Sequence, residues 1–175
     1  MSLQDLIVES IRQSAYQVFS TMLGVELRDG QFSLESGMPE SNDGVVSFIG
    51  VAGSWAGTGS ISCSPILACR ICAQMLMTES TAVDEEVLDA VAELTNMVIG
   101  NVKTDLESQL GPLGLSIPTV VFGRNFKAKS AGPTEWIVMR FQWDGEVLVI
   151  KLCLAPTEKS HLAAHPIGTT CALEV

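Results

Sequence analysis

Apolar residues recur at helical spacing from the start of the chain, at Leu3, Leu6, Ile7, Ile11, Ala15, Val18, Phe19, Met22 and Leu23. Positions three and four apart share one helix face, so the spacing predicts a helix over 3–23, stopped by Gly24. Shorter runs follow. Val25–Arg28 reads as a weak strand, and Val45–Val51 and Ser54–Cys63 as stronger ones broken at Gly53. Ser64 before Pro65 has the form of an N-cap with proline in the first helical position, opening a helix that reaches about Thr78. The longest helical stretch is Thr81–Leu110. Asp84, Glu85 and Glu86 crowd its start, where the helix dipole favours negative charge, and Gly111 and Pro112 close it. Strand patterns return at Leu115–Phe122, Asn125–Lys129, Thr134–Trp143 and Glu146–Ala155, with Asp144–Gly145 as a hairpin turn between the last two. Residues 156–175 show no period. Helix, strands, two helices, strands is the order of an α+β fold, with helices laid on a largely antiparallel sheet. No linker interrupts it, so residues 1–155 are expected to form one domain, with 156–175 as a C-terminal extension.

Composition narrows the function classes. Hydrophobic residues make up 47% of the 175 and charged ones 17%, which excludes a disordered chain and leaves apolar surface for self-association. The net charge of −10 lacks the basic footprint that nucleic acid requires, and an anionic membrane surface would repel it. No apolar run approaches the ~18 residues of a spanning helix. The longest, from Gly44 to Gly53, is short and contains Ser47. The first residues carry no basic segment of a signal peptide, and the five cysteines are an odd number better suited to a reducing compartment. A cytoplasmic location is therefore expected.

On an ideal helical wheel with Asp89 at zero, Glu93 falls at about +40°, Asn96 at about −20° and Gly100 at about +20°. Lys103 and Glu107 extend this stripe, while Val87, Val91, Leu94, Val98, Val102 and Leu106 take the opposite face. Every amphipathic helix has a polar face, and periodicity alone says no more than that. Asn and Gly, however, are poor helix formers. Placed one turn apart beside a carboxylate, they make a flat, polar spot that another surface can approach closely.

Asp89-x3-Glu93-x2-Asn96, followed after 21 residues by Pro118, resembles the signature of the CheC/CheX/FliY family of bacterial chemotaxis phosphatases. The stretches Ala92–Asn101 and Ile117–Gly123 are similar to the CheX branch, and the resemblance covers roughly residues 3–155. It implies a CheC-like fold: a largely antiparallel sheet with two long helices packed on one face and a shorter third helix. It implies hydrolysis of the aspartyl phosphate of a CheY-type response regulator. Asn96 would orient the attacking water and Glu93 would engage a regulator lysine, both as catalytic residues. Asp89, Met97, Gly100 and Pro118 would dock or shape the surface. The resemblance also implies Mg²⁺ supplied by the regulator, no cofactor of the chain's own, and a homodimer. In the first helix, Ser10-x3-Ser14-x2-Gln17 with Pro39 echoes the spacing but has serine in place of glutamate, and reads as a degenerate copy. The alternative function is a non-catalytic module of the same fold that binds a regulator or signalling partner.

Other constellations carry less. Cys69-x2-Cys72 lacks a second pair for zinc and reads as part of a core helix. His161-x3-His165 has no glutamate in the metalloprotease position and is followed by Pro166. Lys103 and Lys151 have no nucleophile context. The Gly50–Gly59 segment lacks a phosphate-loop pattern.

Overall fold

Ser2 accepts the backbone N–H of Asp5 on its hydroxyl, and Asp5 accepts the N–H of Ser2, so a reciprocal capping box begins helix α1, Leu3–Val18. The computed structural model of the protein describes residues 1–28, 30–36, 41–129 and 135–158. Pro39, His161, His165, Pro166 and Cys171 lie outside them. A single π-helical turn, Phe19–Leu23, carries α1 on to Gly24, which is left-handed at φ 67° and ends it where the sequence places the stop. The remaining elements are β1 (Phe32–Ser36), β2 (Ser41–Gly53), β3 (Trp55–Cys63), α2 (Pro65–Leu76), α3 (Glu85–Leu110), β4 (Leu113–Leu115), β5 (Thr119–Lys127), β6 (Glu135–Trp143) and β7 (Glu146–Pro156).

One antiparallel sheet runs β1-β6-β7-β3-β2, and both β4 and β5 pair with the far side of β2. Alternate residues of one sheet face, among them Val45, Ile49, Ile61, Met139, Phe141, Leu148 and Ile150, join Ile11, Phe19, Leu67, Ile71, Leu94 and Val98 of the helices in one core. This is the α+β arrangement that the order of elements predicts, with α1, α3 and the shorter α2 sharing one face as the family resemblance implies. On the opposite face Val138 is also fully buried. Ser33 and Lys151 flank it on neighbouring strands, and Trp136 and Arg140 flank it along β6. The described helices offer no segment long and apolar enough to cross a membrane.

The strands depart from the sequence pattern in several places. Val25–Arg28 is no strand: its one ladder contact is an isolated bridge between Arg28 and Gln142. The strand β1, Phe32–Ser36, has no counterpart in the sequence reading. The run Leu115–Phe122 is not continuous. Ser116 still exchanges bonds with Gly50, its N–H to the Gly50 carbonyl at 2.9 Å and its hydroxyl accepting the Gly50 N–H at 2.8 Å. Thr119 already pairs with Phe48. Two residues, Ile117 and Pro118, therefore stand opposite the single Ile49, the geometry of a β-bulge.

Candidate functional site

Helix α3 begins at Asp84, whose carboxylate accepts the N–H of Val87 at 3.0 Å, with Glu85 and Glu86 in the first turn. The start is four residues later than the pattern suggests, because Asp84 is the cap rather than an interior residue. Val87, Val91, Leu94, Val98, Val102 and Leu106 are all buried, so the apolar stripe anchors the helix as expected. Thr95 is fully buried too, and its hydroxyl donates to the Val91 carbonyl.

The opposite stripe divides into two parts. Toward the C-terminus, Lys103 pairs with Glu107 at 3.0 Å, and the same Glu107 carboxylate accepts the N–H of Leu113. The backbone bond from Leu113, then Lys103, holds the Glu107 carboxyl below its usual range. These two residues are thus occupied in joining α3 to β4. Toward the N-terminus, Asp89, Glu93 and Asn96 are exposed. Among the described residues, their side chains take part in no hydrogen bond or ion pair. Glu93 and Asn96 are about one turn, or ~4.5 Å, apart along the axis, and Met97 beside them is half-buried against the core. A Cβ at Gly100 would meet nothing nearer than Leu115 Cδ1 at 4.0 Å. The missing side chain is therefore not demanded by packing within the chain. Pro118 is half-buried in the bulge between β4 and β5.

A carboxylate and an amide on a convex, exposed helix face do not enclose a small molecule. Ligand sites of that kind are concave. The open depression of about 460 Å³ lined by Tyr16, Gln17, Ser20, Val25, Glu26 and Leu27 contains none of the stripe residues. The arrangement suits insertion into a site belonging to another macromolecule. No group of three or more side chains suited to a metal occurs among the described residues.

The other candidates resolve structurally. Ser10 donates to Asp105 at 2.8 Å, and Ser14 to the Val98 carbonyl at 2.8 Å, both from buried positions. The first-helix pattern therefore faces α3 rather than solvent, apart from exposed Gln17. Cys69 and Cys72 are buried on α2. Burial pushes the neighbouring Cys63 thiol up to about 12, far from the thiolate that reactivity needs. Sequence reasoning missed the displayed Ile117, which is 88% exposed. Its signal is a β-branched apolar residue directly before a proline, readable only once the pairing of β4 and β5 with β2 is known.

The chain matches the family model for the chemotaxis phosphatase CheX over residues 45–142, which includes the whole of α3. It is 33% identical to the CheY-P phosphatase CheX of Thermotoga maritima over 127 residues, 72% of this chain and 81% of that one. A CheC-like superfamily protein from Shewanella sp. PV-4 superposes with a TM-score of 0.76 at 29% identity, covering 89% of this chain and 99% of the other. The CheX–CheY–BeF3–Mg²⁺ complex from Borrelia burgdorferi contains a chain that matches at TM-score 0.68 and 25% identity, over 85% of this chain and 97% of that one. By the family model and the identity to the Thermotoga protein, the chain belongs to the CheX family of chemotaxis phosphatases.

Proposed function

We propose that this chain dephosphorylates the aspartyl phosphate of a CheY-type response regulator, with Glu93 and Asn96 as its catalytic residues. The observation that carries the reading is the unengaged pair on a helix whose other face is locked in the core. An acyl phosphate is already reactive, and hydrolysis wants a water held in line with the departing carboxylate, so positioning and electrostatics supply the catalysis. The Asn96 amide oxygen accepts from that water without adding negative charge beside the phosphoryl oxygens. Water oxygen bonds to phosphorus as the P–O bond to the aspartate breaks, releasing phosphate and a free carboxylate. Glu93, one turn away, pairs with a regulator lysine and sets the register of the helix. Asp89, Met97 and Gly100 line the docking surface, and Pro118 shapes its margin. The family likeness supports CheY as the partner, since the Borrelia relative is a complex with CheY and Mg²⁺. The Mg²⁺ here belongs to the regulator.

The chain also acts as a homodimer in this reading. Among the described residues strand β5 is an edge, with none of its nine residues buried and with Val121 and Phe122 exposed, suited to pairing with its copy about a two-fold axis. The reaction takes place in the cytoplasm, where phosphorylated regulators reside.

The test is phosphate loss from a phosphorylated CheY-type regulator of the same organism. Wild type accelerates it. Asn96→Ala loses on the order of a hundredfold or more in rate, since misplacing a reacting group by about 1 Å already has that effect. Phosphorylation-dependent binding without acceleration would instead identify the non-catalytic module.

A further inference from the structure

Ile117 is a large β-branched side chain left 88% exposed, and the backbone that carries it is fastened on both sides. Ser116 exchanges two hydrogen bonds with Gly50, and its hydroxyl also donates to the carbonyl of Ile117 at 3.1 Å. Pro118 confines the residue before it to extended backbone. Thr119 resumes the ladder opposite Phe48. An exposed isoleucine on a mobile loop would be unremarked; one held out by a pinned bulge is displayed. Bulges beside functional sites commonly re-aim a side chain in this way.

The bulge also has a definite place relative to α3. After Gly111 the chain turns back along the helix. The N–H of Leu113 meets Glu107, and Leu115 reaches the open space beside Gly100. At about 3.3 Å per extended residue against 1.5 Å per helical residue, continuing the same course by two residues would bring Ile117 to about the level of the turn that holds Asn96.

We propose that Ile117 is a docking residue for the phosphorylated regulator, entering an apolar recess on the regulator surface beside its phosphoaspartate while Asn96 enters the active site. This rests on the phosphatase reading above. A regulator fits the position better than a second copy of this chain. Edge-to-edge pairing of β5 needs a regular ladder with free N–H groups, and the bulge and Pro118 interrupt both. Ile117 therefore lies beyond the stretch that can pair with another β5. It also explains Gly100: the partner surface that receives Ile117 passes close over the helix there, where a side chain would intrude.

The experiment is steady-state dephosphorylation of the phosphorylated regulator by wild type, Ile117→Asp, Ile117→Ser and Ile117→Val, with thermal melting and sedimentation of each. The expected result is a KM raised about tenfold or more for the Asp and Ser variants, as for a central apolar contact, with kcat within twofold. The Val variant stays near wild type, and melting temperature and oligomeric state are unchanged. A KM within twofold of wild type overturns the proposal, as does a fall in kcat at constant KM. Loss of the oligomer with KM unaltered assigns the residue to a second copy and also overturns it. If wild type gives no acceleration, the phosphatase reading fails by itself. Direct binding of the phosphorylated regulator to wild type and Ile117→Asp then decides the docking role, and equal binding, or none, overturns it.

Discussion

At Gly100 stability and the proposed docking role can be separated in a single residue. Its helical position disfavours glycine, and a Cβ there would have only Leu115 at 4.0 Å for company. Gly100→Ala should therefore stabilise the isolated protein by roughly 0.5–1 kcal/mol, seen as a higher melting temperature. In the proposed complex the same methyl would stand where the regulator surface passes, so kcat/KM for dephosphorylation should fall. A variant that gained stability and kept full activity would remove Gly100 from the docking surface. At this scale much was legible in advance. Asp89, Glu93 and Asn96 keep helical spacing opposite an unbroken apolar stripe, and spacing is a local property. Ser10 and Ser14 were not legible: whether a hydroxyl faces solvent or another helix depends on how α1 lies against α3, where they meet Asp105 and Val98.

Caps and turns fixed whole elements. Ser64 accepts the N–H of Leu67 and donates to the carboxylate of Glu146, so one side chain starts α2 and ties it to the first residue of β7. Ser64→Ala should cost about 1–2 kcal/mol in chemical denaturation, more than an isolated cap because the Glu146 contact goes too. The Asp144–Gly145 turn, with φ of 47° and 79°, is the hairpin that those two residues announce. β1 was not announced. Phe-Ser-Leu-Glu-Ser is short and half polar, and its pairing with β6 makes it a strand. Val25–Arg28 has the composition of a strand but only one bridge, at Arg28, to pair with. Strand identity in these two segments is decided by a neighbour far away in sequence, which local pattern cannot supply.

At the scale of the whole molecule, the sheet face opposite the helices carries a charge cluster that spans β1, β6 and β7. Glu35 on β1 accepts a hydrogen bond from Arg140 on β6 and pairs with Lys151 on β7 at 3.5 Å. Burial pushes its carboxyl up, but the bond from Arg140 and the charges of Lys151 and Arg140 outweigh this, and the net shift is downward. A depressed carboxylate contributes stability above the ordinary glutamate value of 4.5, and that contribution is lost as pH falls below it. Acid denaturation followed by circular dichroism should show the loss, and Glu35→Gln should flatten it. The proposed homodimer is tested separately by Val121→Lys with Phe122→Lys. Charge on the β5 edge should give a monomer in sedimentation while leaving the fold intact. An unchanged oligomer would move the interface elsewhere.

The extra residue opposite Ile49 also sets the phase of everything after it. Without it, Val120 and Phe122 would exchange faces with Val121 along β5, because side chains alternate. Here Val120 and Phe122 stand beside Ser47 and Val45 on the helix side, and Val121 beside Val46 on the other. The length of this stretch is therefore not free to vary, since losing or gaining one residue would invert the strand. The side chain at 117, being exposed, can change without disturbing that register. The docking contact proposed for this position can therefore be retuned by point substitution, but an insertion or deletion here would disturb the sheet.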